Sequence, residues 1–324
     1  MVTHTPSALR VVFFGTPDFA VPTLQALLVS THHVVGVVTQ PDRPKGRGRR
    51  PHQSPVKEVG LAHDIPVFQP EKLKEASFVQ AITTLQPDLA VVAAYGKILD
   101  ERLLSLPRLG FLNVHASLLP KYRGAAPIQR AVMAGETETG VTIMRVVRAL
   151  DAGPMLAAAS RSIDLQESSV EIERDLAALG APLLVSVVDR LASGGVVETP
   201  QDDSAATYAR RLEKDEGRVD WTASARAIHN KIRGLQPWPH AFTQFNGQRC
   251  ILLRSELAGP PDNEAWGARP GRIIEAAGDS LAVATGDGIV RLRSLQMEGG
   301  RPLTTREFIA GQRVTPGSMF GQTA

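Results

Sequence analysis

The side chains best suited to chemistry in this sequence are Asn113, His115 and Asp151, with a loop of changing character between them. Residues Phe111 to Val114 read as a short strand. Strand side chains alternate between faces, so Asn113 and His115 point one way while Leu112 and Val114 point the other, into packing. The pair therefore sits where a strand ends and a loop begins, the edge at which α/β sheets bind ligands. An amide and an imidazole there could polarise a carbonyl and manage a proton. Ser117, Leu118, Leu119 and Pro120 follow as an apolar wall. The chain then turns basic and glycine-rich through Lys121, Tyr122, Arg123 and Gly124 before a helix near Ala125. The bland alternative is a satisfied core histidine beside a turn-forming asparagine.

Asp151 follows the apolar run Val141 to Val147, within Leu150-Asp151-Ala152-Gly153-Pro154. If both strands end at one crevice, Asp151 meets His115, fixing its tautomer and stabilising its protonated form. On its own, Asp-x-Gly reads as a turn.

The elements that would position these residues alternate between strand and helix. Arg10 to Phe14 is an apolar run ending in Gly15-Thr16-Pro17-Asp18, followed by a helix from Ala20 to Leu28 and a strand from Val34 to Thr39. Ser54 and Pro55 suit the cap and first turn of a helix reaching Ala62. Ile65 to Phe68, Glu71 to Leu85 and the continuous apolar run Asp88 to Ala94 read as strand, helix and buried strand. Such alternation implies right-handed crossovers and a doubly wound parallel sheet, Rossmann-like in class. The Gly-x-Gly-x-x-Gly fingerprint of dinucleotide binding is absent, which disfavours a nicotinamide dehydrogenase.

Between the second strand and the next helix runs Pro41 to Pro51, carrying Arg43, Lys45, Arg47, Arg49 and Arg50 against the single acid Asp42. Its prolines and glycines predict a mobile loop without regular structure. The alternative to a solvated charge run is contact with a nucleic-acid phosphate backbone, where each neutralised phosphate releases counterions. Arg47, between two glycines, is the best single candidate.

The 324 residues favour two domains. No apolar run reaches the roughly 20 residues of a membrane span, and Met1 to Leu9 lacks the apolar core of a secretory signal. A cytoplasmic protein that stays off membranes is expected. The lone Cys250 forms no intrachain disulfide and reads as a small buried hydrophobe. Eight His and one Cys form no zinc-type cluster, so no metal is expected.

Ser168 to Leu191 has a helical pattern interrupted at Gly180-Ala-Pro182. The polar, Gly/Pro-containing stretch 195–212 reads as a linker. Beyond Trp221 a helix runs to about Arg233. Strands are predicted over Ala241–Phe245 and Arg249–Leu257, joined by the hairpin signal Asn246-Gly247. Further strands are Arg272–Ala276, Leu281–Thr285 and Ile289–Leu295. A small C-terminal β-barrel, OB-like, is the expected result. The implied organisation is 1–194, a linker over 195–212, and a barrel over 213–324.

The Asn113-x-His115 pair, Ser117-Leu-Leu-Pro120 and downstream Asp151 resemble the N-x-H…D arrangement of the 10-formyltetrahydrofolate-dependent formyltransferases. FFGTPDFAVP, TQPDRPKGRGR, LLPKYRGAAPIQRA and TGVTIM extend the resemblance from about Arg10 to the C-terminus. Ala152 stands where that family has Thr, and Tyr122 where Trp is frequent. The resemblance implies transfer of a formyl group from 10-formyltetrahydrofolate, a folate co-substrate, to the α-amine of methionine on initiator tRNA, for translation initiation. It implies Asn113, His115 and Asp151 as catalytic residues, Ser117, Leu118, Leu119 and Pro120 against the folate, and Arg43, Lys45, Arg47, Arg49 and Arg50 against the tRNA. It makes 1–194 a catalytic domain and 213–324 a tRNA-contacting one, with Lys231, Arg233 and Arg249 as surface candidates, in a monomer that needs no metal. Rival readings are formyl transfer to glycinamide ribonucleotide or a sugar amine, hydrolysis of the formyl donor, and a folate- or RNA-binding module without turnover.

Overall fold

The computed structural model describes residues 8–45, 50–258 and 268–321. The chain divides into two compact units, one formed by 1–127, 139–161 and 173–209, the other by 128–138, 162–172 and 210–324.

Through residue 209 the elements are β1 (Arg10–Gly15), α1 (Val21–Leu28), β2 (His33–Val38), β3 (Arg43–Lys45), β4 (Arg50–His52), α2 (Pro55–Ala62), β5 (Val67–Phe68), α3 (Ala76–Thr84), β6 (Leu89–Ala93), α4 (Glu101–Leu104), β7 (Phe111–His115), β8 (Arg123–Gly124), α5 (Pro127–Ala134), β9 (Glu138–Arg145), β10 (Met155–Ser162), α6 (Ser169–Ala192) and β11 (Tyr208–Ala209). The main sheet has the order β10-β9-β7-β6-β1-β2-β5. Its strands from β7 to β5 are parallel, with β1 between β2 and β6. Central strands of this kind are covered on both faces, which explains their unbroken apolar runs. Val12, Phe14, Ala90 and Phe111 pack on one face with Phe78, Ile82 and Tyr95, while Val11, Phe13, Val91, Leu112 and Val114 are buried on the other.

The α/β reading holds, with two additions. Strand β9 runs antiparallel to β7, and β10, whose Ala- and Ser-rich sequence carries little hydrophobic signal, extends the edge. Ser54 caps α2, its hydroxyl accepting from Lys57 N at 3.1 Å, worth about 1 kcal/mol. Helix α6 runs without a break through Pro182. A proline there forfeits one backbone bond. Gly180, where a Cβ would come within 3.0 Å of Val114, and the buried Leu184, Val187 and Val188 hold the helix on its sheet regardless.

The basic stretch also differs from expectation. Strands β3 and β4 pair antiparallel, with Pro44 opposite Pro51. A two-stranded ribbon consists of edge strands only, where a residue without an N–H is tolerated. The 195–212 stretch is ordered chain on the first unit as far as Ala209: Thr199 bridges Met155, and β11 pairs with β8.

In the second unit α7 (Ala225–Gly234) precedes β12 (Ala241–Phe245), β13 (Gln248–Leu257), β14 (Ile273–Ala277), β15 (Ser280–Ala284), β16 (Ile289–Met297), β17 (Leu303–Thr304) and α8 (Thr305–Gln312). The sheet path is β12-β13-β16-β15-β14, with β17 on β16. Residues 317–321 tie its two ends together. Gly317 N and Phe320 N donate to Ile273 and Gly271 carbonyls beside β14, and Gly321 N donates to Gln244 O on β12. Trp221, Phe245, Phe308 and Phe320 stack inside, and Cys250 is buried among them, its thiol pushed up to about 12 by that burial.

Candidate active site

Strand β7 delivers Asn113 and His115 to one face by alternation. Across the ladder Asn113 pairs with Met144 and His115 with Thr142 of β9. His115 is buried. Its Nε2 lies 3.0 Å from the Tyr122 carbonyl; because that carbonyl only accepts, Nε2 carries a proton. Its Nδ1 is 3.7 Å from Asp151 Oδ2, so the ring has an acceptor on each side. Asn113 is half-buried, and its carboxamide makes no hydrogen bond among the described residues.

The structure brings Asp151 to His115 by a route other than the expected meeting of two parallel strand ends. Because β9 is antiparallel, its last residue, Arg145, pairs with Leu112 near the start of β7. The His115 end lies ~10 Å away at 3.3 Å per residue. The turn after β9 doubles back. Arg145 N donates to Pro154 O, and a Cβ on Gly153 would stand 2.0 Å from Arg145 O, so this approach requires glycine. Asp151 itself adopts φ +47°, a left-handed conformation that Asp tolerates better than most residues. Its Oδ2 also accepts from Gly124 N at 2.8 Å. Tyr122, whose carbonyl faces the ring, also lies in the left-handed region (φ +61°), so both residues that flank the imidazole hold uncommon backbone conformations, which cluster at functional sites.

The 117–120 loop is fixed from below. Thr142, fully buried, donates through Oγ1 to Ser117 O at 2.7 Å and accepts from Leu119 N at 3.1 Å. Ser117 Oγ donates to Lys121 O at 2.7 Å. Ser117 and Leu119 are thereby buried, leaving the side chains of Leu118 and Pro120 partly exposed. The Leu119–Pro120 bond is cis.

Sequence reasoning missed Thr142 and Gln201. Gln201 Nε2 donates to the carbonyls of Asp151 (2.8 Å) and Gly153 (2.7 Å), and its Oε1 accepts from Arg123 Nε at 3.0 Å. Nothing in the polar stretch around residue 201 marks one glutamine as different. Arg123 is buried and also bonds Asp203 at 2.7 Å.

Of the basic residues, Arg43 is exposed on β3, and Lys45 and Arg50 lie on the ribbon strands. Arg47 and Arg49 fall outside the described residues. The ribbon's stem is braced: Lys57 Nζ donates to Asp42 at 2.6 Å and to Gln69 at 2.8 Å, while Gln69 Nε2 donates to Asp42 at 2.7 Å. These bonds hold the Asp42 carboxyl below the usual carboxylate range. In the second unit Lys231 is half-buried and donates to Arg218 O, and Arg249 stacks 3.9 Å over Phe242. Arg233 is not a surface group. It is buried and bonded to Asn230, Asp164 O and Glu167 O. Among the described residues no group of three or more His, Cys, Asp or Glu could hold a metal ion, and no helix is long and apolar enough to cross a membrane.

Residues 9–188 match the family described as formyl transferase, and residues 211–313 match the formyl transferase C-terminal domain. The chain belongs to the formyl transferase family. The formyl transferase match takes in all the catalytic and folate-side candidates, from Asn113 to Asp151. Among curated formyl transferases, the methionyl-tRNA formyltransferase of Sulfurihydrogenibium is 45% identical over 314 residues, covering 96% of this chain and 100% of that protein. That of Pseudomonas syringae pv. tomato is 46% identical over 316 residues, covering 97% and 99%. Solved structures with the same fold are more distant in sequence. HypX from Aquifex aeolicus in complex with tetrahydrofolic acid has a TM-score of 0.64 at 18% identity, covering 94% of this chain, which spans about half (48%) of HypX. The sugar 3N-formyl transferase WlaRD has a TM-score of 0.66 at 17% identity, covering 90% of this chain and 99% of that one.

Proposed function

We propose that this formyl transferase moves a formyl group from 10-formyltetrahydrofolate to the α-amine of methionine on initiator tRNA. The observation that carries the acceptor is the end-to-end similarity, through both units, to relatives named methionyl-tRNA formyltransferase. Glycinamide ribonucleotide or a sugar amine would not require the basic 41–51 stretch.

Asn113, His115 and Asp151 act at the reacting atoms. The amine nitrogen attacks the formyl carbon, and charge develops on the formyl oxygen. Half-buried Asn113 has amide protons free of any described partner, so it can donate to that oxygen without first breaking a bond. His115 supports the same charge from the neighbouring position on the face. Asp151 lies within reach of His115 and accepts the amine proton directly or through water. The carbon–nitrogen bond to folate then breaks, the proton reaches the leaving nitrogen, and tetrahydrofolate departs. No covalent enzyme intermediate is needed. Leu118 and Pro120 supply the partly exposed apolar wall for the folate, on a loop held by Ser117 and the Leu119 backbone. Arg43, Lys45, Arg47, Arg49 and Arg50 meet phosphates of the acceptor tRNA. The enzyme works in the cytoplasm as a monomer, with a catalytic domain over 1–194 and a tRNA-contacting barrel over 213–324.

The test is formyl transfer to purified methionyl initiator tRNA, beside uncharged tRNA and glycinamide ribonucleotide. Label is expected on the charged tRNA alone. Label on the ribonucleotide, or free formate without an acceptor, would overturn the reading. His115→Ala should cripple transfer while folate still binds; unchanged function in that variant would point to a binding module.

A further inference from the structure

We propose that Gln201 is a positioning residue for the reaction: it holds the turn that presents Asp151 to His115. The proposal rests on the role given above to Asp151.

The geometry is specific. Gln201 spends both amide hydrogens on carbonyls of one turn, those of Asp151 and Gly153. Its oxygen faces Arg123 Nε. A guanidinium has only donors and a backbone carbonyl only accepts, so the amide has one workable orientation. Arg123 is in turn buried and tied to Asp203, which fixes the amide from behind. The bonded carbonyls lie on Asp151 itself and on the residue that packs against Arg145 O without room for a Cβ.

The turn needs an outside hold. Asp151 sits at φ +47°, a conformation that persists only where surroundings over-determine it. Within the turn, Ala152 N donates to Ala149 O at 3.4 Å, a long bond, and Arg145 N donates to Pro154 O. Asp151 Oδ2 has the Gly124 amide to align it, but that contact fixes the carboxylate only if the backbone behind it stays in place. The segment carrying Gln201 is itself anchored, by the Thr199–Met155 bridge before it and the β11–β8 pairing after it. Gln201 therefore transmits a fixed frame to the carboxylate without touching either substrate.

The isosteric substitution Gln201→Glu separates the two halves of the clamp. The carboxylate keeps a partner in Arg123, so the fold has a reason to survive, but it turns an oxygen toward the Asp151 and Gly153 carbonyls in place of two donors. Gln201→Met removes both halves and serves as the second variant. Each is assayed for formyl transfer to methionyl initiator tRNA, alone and combined with Asp151→Ala. Amide hydrogen exchange of residues 149–154 is measured on the same proteins.

For Gln201→Glu the expected result is a kcat lowered tenfold or more, KM for folate and tRNA within twofold of wild type, and faster exchange across 149–154. In the Asp151→Ala background the substitution should lower kcat no further, because residues acting through one another are not additive. Restoration of the amide by Gln201→Asn with a partial return of kcat would add support. A kcat within twofold of wild type, unchanged exchange, or an equal loss with and without Asp151 would overturn the proposal. If wild type itself transfers no formyl group, the functional reading fails, while the exchange result still judges the clamp.

Discussion

Thr142 offers the sharpest stability test. Its side chain is fully buried under the 117–120 loop, and one hydroxyl serves two backbone groups, donating to Ser117 O and accepting from Leu119 N. Thr142→Val keeps the shape and the β-branch that suit a strand. It leaves a buried carbonyl and a buried N–H without that partner. Each orphaned group costs about 1–3 kcal/mol, so with two of them the variant should lose about 2–6 kcal/mol. Thr142→Ser keeps the hydroxyl and removes one methyl, about 0.8 kcal/mol of burial. Urea unfolding followed by far-ultraviolet circular dichroism is the suitable assay, since Trp221, Trp238 and Trp266 all lie beyond residue 212 and fluorescence would not report on this loop. Equal losses for the Val and Ser variants would refute the reasoning, because packing rather than the shared hydroxyl would then fix the loop. A Val variant within 0.5 kcal/mol of wild type, well under the ~1 kcal/mol floor for one orphaned group, would refute it as well.

Three further outcomes are expected. Gly153→Ala drives a methyl against the Arg145 carbonyl and displaces the Asp151 turn; kcat should fall about 100-fold, the scale of a ~1 Å misplacement, as read by single-turnover transfer. Lys57→Met removes the brace beneath the basic ribbon and should raise KM for tRNA several-fold with folate KM unchanged, as measured by steady-state kinetics. Glu307 is held at about 2, below its ordinary 4.5, chiefly by Arg301 and then by Thr304. A depressed carboxyl contributes stability above its unfolded pKa and loses it as pH falls through the folded one. Glu307→Gln should therefore flatten the decline in thermal midpoint between about pH 4.5 and 2, with no change at its acid end.

Much of this was legible because the signals were local. The two-residue spacing of Asn113 and His115 on an apolar strand, the Ser54-Pro55 helix start and the Asn246-Gly247 hairpin each depend on a few neighbouring residues. The Thr304-x-x-Glu307 capping box, with Glu307 N donating to Thr304 Oγ1 and Thr304 N to Glu307 Oε2, is equally local but was not among the readings. What sequence could not give was direction and long-range support. The residues of β9 read as a strand, but nothing in them specifies that it runs opposite to β7, and so the route by which Asp151 returns to His115 stayed hidden. Pro182 argued for a helix break that sheet packing at Gly180 overrides. Gln201 acts across some 50 residues through backbone carbonyls, which every residue possesses and which leave no compositional trace.

The pairing of β11 with β8 has a consequence for the order of events on the ribosome. His115 and its strand are made early, yet Tyr122, whose carbonyl holds the imidazole, donates its own backbone N–H to Thr207 Oγ1, and Arg123 N donates to Thr207 O. Until residue 209 has emerged, the nascent first unit can carry a nearly complete sheet while the segment around its imidazole lacks a partner strand. The surroundings of the imidazole are thus completed late in synthesis, by a residue 85 positions beyond Tyr122.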